Sequence, residues 1–357
     1  GRPFVAEDVV ANLMHMLDPE SGSSMIGLMK GYMLNDDGTE IWDANAIEIV
    51  DDATVRLNLK VPQVAIPEHL FHYPAAMLDP EENFVFGPGS NGTGAFDLVE
   101  HEVGVKSVLQ ARDDYWGDGP YVDTLTYIDL GDDPSAVIGA VASQQVDGIY
   151  EGDISQLDVF KAIPTVELYS ANTAQTAVAR VQVDRPEFSD PRIRKAMRLA
   201  IDSPKILELG PRGLGAPGAH PHLAPVHPDY FPLPAMTRDV QAAKALLAEA
   251  GYPDGIKMNI ATKKDPAWEI NSVQAMVEQW KDAGIDVKID VLPSAQFWDV
   301  WDKVPFGYTS WTHRPLGFMV LSLAYRSGVP WNESHYNNPE FDAILTKAEG
   351  TLDLEER

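Results

Sequence analysis

The chain has 357 residues, and its 27 Lys and Arg against 54 Asp and Glu give a formal net charge of −27. Such an acidic chain argues against a nucleic acid or an anionic membrane surface as partner, because both bind basic faces. The absence of cysteine excludes disulfide scaffolds, thiolate zinc sites and cysteine nucleophiles, and the length is typical of two domains or one large one.

The first half of the chain alternates between predicted helices and strand pairs. Apolar residues at helical spacing predict a helix over residues 5–18. Alternating apolar and polar residues predict a hairpin over 47–60 and a second strand pair over 95–111. A strand near 122–130 and a helix over 134–145 follow.

The second half carries clear helix boundaries. Asp190 is predicted to cap a helix that has Pro191 at its first position. Residues 211–235 contain seven prolines and three glycines, so this segment is predicted to hold no regular element. Thr237 is predicted to cap the next helix, which ends where Gly251 supplies a left-handed turn.

The clearest unit of the chain is a strand–helix–strand pattern. A strand over 256–262 leads into a helix over 268–283, and an alternating strand over 285–291 follows. A unit of this length predicts a βαβ crossover and therefore a local parallel pairing.

One glycine pattern matches a nucleotide-binding motif without its structural context. Gly87, Gly89 and Gly92 have the GxGxxG spacing, which requires a strand before the motif and a helix after it. The residues that follow, 95–99, alternate like a strand. A glycine-rich turn is therefore the favoured interpretation, and no cofactor is predicted.

Three histidines, His220, His222 and His227, cluster in the proline-rich segment. Neutral imidazoles this close could bind a metal ion. The nearby carboxylate is Asp229 alone, so solvated loop histidines are favoured and no metal site is predicted. No nucleophile–base spacing stands out either, and no enzyme activity is predicted.

Aromatic residues are concentrated in residues 297–331, which hold four of the eight tryptophans. Aromatic walls with a few fixed polar groups are typical of small-molecule pockets, although any single tryptophan is more often a core anchor. The run 310–315 places Trp311, His313 and Arg314 in a segment that proline interrupts. This run is the candidate binding segment.

Seven stretches, in order along the chain, together resemble the extracellular solute-binding protein family 5. This family comprises the dipeptide-, oligopeptide- and nickel-binding receptors of ABC importers. The stretches are residues 6–10 (AEDVV), 51–55 (DDATV), 92–96 (GTGAF, with Ala for the family's Pro), 112–117 (RDDYWG), 190–202 (DPRIRKAMRLAID), 243–253 (AKALLAEAGYP) and 338–342 (NPEFD).

The resemblance implies an α/β, two-lobe periplasmic binding protein fold of type II, similar to cluster C, whose lobes close on a ligand. It implies that residues 1–90 are the remainder of a lobe I subdomain, 91–178 a lobe I core segment and 179–357 lobe II. Relative to the family, the chain resembles an internal fragment with lobe I incomplete at both chain ends, from which the signal peptide is missing.

The resemblance also implies a ligand site in lobe II. In peptide-binding members a tryptophan is followed three residues later by an aspartate that pairs with the peptide's α-ammonium group, and the matching positions are Trp311 and Arg314. The cation would repel an ammonium group but could form a bidentate pair with a carboxylate or phosphate. The alternative is that Arg314 turns outward or pairs with Asp299 or Asp302, leaving a neutral pocket.

Two further residues complete the predicted ligand-binding set. Trp298 is a candidate stacking wall, since the family also places a tryptophan near this position. His313 is a candidate hydrogen-bonding group. The predicted site is therefore Trp311, Arg314, His313 and Trp298.

The resemblance implies the substrate-binding component of an ABC importer, which captures a peptide-like or other small polar organic solute and delivers it to a permease in the inner membrane. It implies a periplasmic, or lipid-anchored extracytoplasmic, monomer with no nucleic-acid partner. The alternatives are the ligand-sensing domain of a regulator and a hydrolase. Neighbouring genes for two permeases and two ATPases would favour import, and an upstream helix-turn-helix would favour the sensor.

Overall fold

The computed structural model describes residues 2–131, 133–219, 221–234 and 236–357. The protein is mixed α/β, as predicted, and it divides into two compact units, Gly1–Gly139 and Ala140–Arg357. The lobe boundaries at residues 90 and 178 stay predictions.

The first unit combines helices with small antiparallel sheets. Its helices are α1 (Ala6–Leu17), α2 (Met25–Met33), α3 (Ile66–Phe71) and α4 (Pro134–Ala142), the last of which continues into the second unit. Its strands are β1 (Ile47–Asp51), β2 (Thr54–Leu57), β3 (Phe96–Glu102), β4 (Lys106–Ala111) and β5 (Thr124–Ile128). The predicted hairpin is β1–β2, and β3, β4 and β5 form a meander in that order.

Two sequence interpretations in this unit are confirmed. Helix α1 forms where the apolar spacing places it, and its residues Leu13, Met16 and Leu17 are buried. The glycine-rich turn leads into β3 at Phe96, so the GxGxxG spacing is followed by a strand. A dinucleotide loop would require a helix at this point.

The second unit holds most of the helices around a four-stranded sheet. Its helices are α5 (Leu157–Lys161), α6 (Pro186–Ser189), α7 (Pro191–Leu199), α8 (Ser203–Leu209), α9 (Val240–Glu249), α10 (Ala267–Asp282), α11 (Ser294–Trp298), α12 (Gly317–Ala324) and α13 (Pro339–Glu349). Its strands are β6 (Thr176–Val181), β7 (Ile256–Lys263), β8 (Ile285–Leu292) and β9 (Phe306–Trp311).

The sheet of the second unit has the order β6-β9-β7-β8. Strand β7 pairs in parallel with β8 over eight residues, which confirms the predicted βαβ crossover through α10. Strand β7 also pairs in parallel with β9, whereas β6 pairs with β9 in the antiparallel sense. The carboxyl ends of β7 and β9 therefore lie at the same edge of the sheet.

Helix α10 packs its apolar side on this sheet. Val273, Val277 and Trp280 are buried in the main hydrophobic core. The indole Nε1–H of Trp280 is not left unpaired by this burial, because it donates to the carbonyl oxygen of Met197 at 3.0 Å. Burial of a polar group is tolerated when its hydrogen bond is made.

The helix caps of this unit follow the sequence in one case and correct it in another. Asp190 caps α7 as predicted, since its side chain accepts from the backbone N–H of Arg192 at 2.8 Å. The prediction of Thr237 as the cap of α9 is wrong. The cap is Asp239, whose carboxylate accepts from the N–H of Ala242 at 2.8 Å.

The proline-rich segment 211–235 contains no helix or strand among its described residues, as predicted. It is nevertheless tied to the rest of the unit. The carboxylate of Asp229 accepts from the N–H groups of Gly317 at 2.9 Å and Phe318 at 3.3 Å. Asp229 therefore satisfies free N–H groups in the first turn of α12.

Candidate functional site

The candidate site lies where β7 and β9 end. Lys263 is the last residue of β7 and Trp311 is the last residue of β9. In open α/β sheets, ligands bind in the crevice outside the carboxyl ends of the strands. The predicted residues Trp311, His313 and Arg314 are thus at the edge of the sheet where binding is expected.

Four tryptophans gather at this edge, and we call Trp298, Trp301, Trp311 and Trp331 the tryptophan cluster. The rings of Trp301, Trp311 and Trp331 meet edge to face, with centroids 6.0–6.2 Å apart. Trp298 meets Trp301 in the same way at 6.1 Å. This edge-to-face geometry is the favourable one for aromatic rings, so the concentration of tryptophans in the sequence corresponds to one spatial cluster.

A buried ion pair between Arg180 and Glu333 is hydrogen-bonded to residues of the tryptophan cluster. The carboxylate of Glu333 accepts from the Trp311 indole Nε1–H at 2.7 Å, from Thr309 Oγ1–H at 2.9 Å and from Arg180 Nε–H at 2.5 Å. Arg180 also donates to the backbone carbonyls of Trp301 and, at 2.6 Å, Val304. The carboxylate therefore orients the Trp311 ring, and the guanidinium holds the backbone at Trp301.

The two predicted tryptophans differ in exposure. Trp311 is 5% exposed, and its indole N–H is already taken by Glu333. Trp298, at the end of α11, is 45% exposed. Trp298 is thus partly available at the surface, whereas Trp311 is buried and is connected to Trp298 through the ring of Trp301.

Arg314 is 4% exposed. Its Nη1 donates to Thr312 Oγ1 at 2.6 Å and to the backbone oxygens of Thr312 at 3.1 Å and His313 at 2.9 Å. Its guanidinium is therefore folded onto its own segment. His313 is exposed, and its Nδ1 accepts from the N–H of Ala174 at 3.0 Å, which fixes the proton of a neutral ring on Nε2.

The expectation of solvated loop histidines is wrong for two of the three. His222 and His227 are buried, and His220 lies outside the described residues. His222 packs its ring edge to face against Trp311 at 5.3 Å, and its Nδ1 meets the hydroxyl of Tyr325 at 3.2 Å. The loop folds onto the tryptophan cluster, a tertiary contact that local composition does not encode.

Burial changes the ionisation of His222. Loss of hydration lowers its pKa to about 3, and repulsion from a protonated His227 and from Arg314 acts in the same direction. Burial also lowers the pKa of His227. His222 is consequently a neutral ring at physiological pH, packed behind the predicted site.

Sequence reasoning missed a second polar group at this edge. Lys263 Nζ meets Glu269 Oε1 at 2.5 Å, and Ser310 Oγ–H donates to the same oxygen at 2.7 Å. Lys263 Nζ also lies 5.7 Å from the centroid of the Trp298 ring. Burial raises the pKa of Glu269, although Lys263 and Ser310 oppose this effect. A charged residue at the end of a predicted parallel strand was the available signal.

The described residues contain no group of three or more His, Asp and Glu side chains that is arranged to hold a metal ion. Within the same residues, none of the helices has the length and apolar content that crossing a bilayer requires.

The fold is that of the type II periplasmic binding proteins, in agreement with the prediction. The structure resembles that of DppA from Helicobacter pylori, an ABC transporter-associated periplasmic binding protein in complex with peptide STSA. The two match with a TM-score of 0.84 at 20% sequence identity, over 99% of this chain and 72% of that chain.

The sequence identifies the family. The model of the bacterial extracellular solute-binding proteins, family 5 Middle, matches residues 1–328. The chain belongs to this family, which confirms the resemblance and the predicted function as a solute-binding protein of the class that serves ABC importers.

Curated relatives match along the whole chain. Heme-binding protein A of Haemophilus influenzae is 24% identical over 384 residues, which cover 100% of this chain and 68% of the relative. Glutathione-binding protein GsiB of Pectobacterium atrosepticum is 23% identical over 381 residues, which cover 100% of this chain and 70% of the relative.

Proposed function

We propose that this chain captures a small polar organic solute or peptide that carries an anionic group, and that Arg314 anchors this group. The observation that carries the proposal is the burial of the Arg314 guanidinium three residues after Trp311, at the carboxyl edge of β9. A guanidinium removed from water forms strong, bidentate, charge-assisted hydrogen bonds with carboxylates and phosphates.

The relatives support an anionic ligand group. Their names and titles specify haem, glutathione and a peptide. These three molecules differ in size and shape, but each carries at least one carboxylate. A cation at position 314 suits that shared feature, and it would repel an ammonium group at the same place.

Two other residues serve the rest of the solute in this proposal. Trp298 is half-exposed and supplies an indole face for an apolar or planar part of the ligand. His313 is exposed, and its Nε2–H is the ring donor left after Nδ1 accepts from Ala174. Trp311 acts mainly as the buried support of this wall.

The proposed biological role follows from the family. The chain is a monomeric receptor in the periplasm, or anchored outside the cytoplasm by a lipid, and it delivers its solute to an inner-membrane permease of an ABC importer. It catalyses no reaction and carries no cofactor in this proposal. Membership of the extracellular solute-binding proteins supports the receptor role and the location outside the cytoplasm.

Native mass spectrometry of the protein purified from its own host tests the proposal. The expected result is one retained small molecule per chain that bears a carboxylate or phosphate, and loss of this molecule from Arg314→Asp. The proposal is wrong if the protein carries no small molecule, or if the retained molecule lacks an anionic group.

A further inference from the structure

Only one of the two carboxylate oxygens of Glu269 accepts hydrogen bonds from the described residues. Its Oε1 accepts from Lys263 at 2.5 Å and from Ser310 at 2.7 Å. Its Oε2 is buried and accepts no hydrogen bond from the described residues. The residue as a whole is 1% exposed. A buried carboxylate oxygen without a donor loses its hydration and gains nothing in return, which native proteins rarely leave uncorrected.

The position of this oxygen relates it to the solute site. Glu269 lies in the first turn of α10, directly after β7, and Ser310 precedes Trp311 in β9. Lys263 bridges from Glu269 to the half-exposed ring of Trp298. The unsatisfied acceptor is thus at the carboxyl edge of two adjacent parallel strands, beside the wall that we assign to the ligand.

We propose that Glu269 Oε2 is a second recognition point of the solute site, which accepts a hydrogen bond from an uncharged donor of the ligand, an amide N–H or a hydroxyl. This inference rests on the proposed function. The ligand would then carry two groups: an anionic group that binds Arg314, and an uncharged hydrogen-bond donor that binds near the end of β7.

The chemistry of the pair selects an uncharged donor over a cation. The ammonium of Lys263 already lies 2.5 Å from the other oxygen of the same carboxylate. A ligand ammonium at Oε2 would share one negative charge with this lysine, and the two cations would repel one another in a poorly hydrated place. An amide or hydroxyl proton makes the hydrogen bond without this repulsion.

Access to Oε2 depends on the side chains that cover it. The half-buried Ser310 is bonded to Oε1, whereas Lys263 has a flexible stem and lies over the ring of Trp298. In this proposal the ligand reaches the buried Oε2 through a rearrangement of side chains at this edge, among them the half-exposed Trp298. The tryptophan emission should change when a ligand is bound.

The experiment uses Glu269→Gln, which keeps the shape but replaces the free acceptor by an NH2 donor. Its matched control is Glu278→Gln, which makes the same change on the same helix and removes only an exposed pair with Lys281. The probe is the small-molecule mixture released from wild-type protein by guanidinium chloride, re-added to each protein after refolding. Wild type should rebind it with a change in tryptophan emission, and Glu269→Gln should bind at least about tenfold more weakly. Glu278→Gln should stay within about threefold of wild type.

The outcomes separate this inference from the proposed function. If Arg314→Gln loses the probe and Glu269→Gln binds it as wild type does, the Glu269 subsite is wrong and the anion anchor stands. If Glu269→Gln alone loses it, the subsite stands and the anchor is wrong. If the wild type releases nothing that rebinds, both fail.

A second measurement serves if Glu269→Gln does not fold. A crystal structure of the wild-type protein with the rebound probe should place a ligand nitrogen or hydroxyl oxygen about 2.7–3.2 Å from Glu269 Oε2. An ordered water at Oε2, with the ligand making no contact there, overturns the inference.

Discussion

The indole Nε1–H of Trp311 donates to Glu333 Oε1 at 2.7 Å, and both residues are buried. The same carboxylate is paired with Arg180 at 2.5 Å. A tryptophan that stands at the edge of the candidate site is thereby fixed by an ion pair inside the unit. The tryptophan cluster is consequently a preorganised surface, which reduces the ordering cost of binding.

Loss of the Glu333 charge should destabilise this unit strongly. Glu333→Gln leaves the buried Arg180 guanidinium without its counter-ion, which costs about 3 kcal/mol or more because the cation stays desolvated. Chemical denaturation measures the change in the free energy of unfolding. The control is Glu208→Gln, which removes the exposed pair with Lys205 and should cost less than about 1 kcal/mol. Equal effects of the two variants would contradict the role of Glu333.

Stability should depend on pH through His222. Its pKa is lowered to about 3 in the folded protein, whereas a histidine in the unfolded chain titrates near its ordinary value of 6.5. Between these values the unfolded state binds the extra proton, so stability falls as the pH falls from about 6.5 towards 3, by up to about 1.4 kcal/mol per pH unit.

The variant His222→Gln isolates this contribution. Denaturation curves at a series of pH values should give it a shallower loss of stability than wild type between pH 6.5 and 4. Parallel curves for the two proteins over this range would show that His222 is not held neutral by the fold.

Two glycines with the same backbone angle should respond differently to a methyl group. Gly251 and Gly255 both have φ of +95°, but a Cβ at Gly255 would lie 2.2 Å from the carbonyl oxygen of Gly284, whereas a Cβ at Gly251 meets nothing within 4 Å. Gly251→Ala should cost about 1–3 kcal/mol from backbone strain alone. Chemical denaturation should show a clearly larger loss of stability for Gly255→Ala. Equal losses for the two variants would contradict the close approach of Gly255 to the carbonyl oxygen of Gly284.

The cap of α9 gives a matched pair of variants two residues apart. Asp239→Ala removes the hydrogen bond to the N–H of Ala242 and should cost about 0.5–2 kcal/mol. Thr237→Ala removes no cap and should stay within about 0.5 kcal/mol of wild type. Thermal or chemical denaturation distinguishes them, and the reverse order would restore Thr237 as the cap.

The sequence predicted the parts of the fold that local rules determine. The βαβ unit follows from the periods of its apolar residues, and Gly251 follows from the left-handed turn it supplies. The cap of α9 was misplaced because Thr237 and Asp239 are both good capping types, and periodicity does not separate positions two residues apart.

The site was predictable only in part, because some of its contacts join residues that are far apart in the sequence. The tryptophans and Arg314 were found because they lie close together in sequence. Glu333 and Arg180 are 153 positions apart, and the burial of His222 depends on how a proline-rich loop packs. Such contacts between distant segments leave no periodic pattern to detect.

The central claim is that Arg314 anchors the anionic group of a captured solute. Isothermal titration of ligand-free protein with the molecule retained by the wild type tests it most directly. Arg314→Gln should bind this molecule about 10- to 100-fold more weakly than wild type, because a charge-assisted hydrogen-bonding partner is lost. An unchanged dissociation constant in a folded Arg314→Gln protein would contradict the assignment.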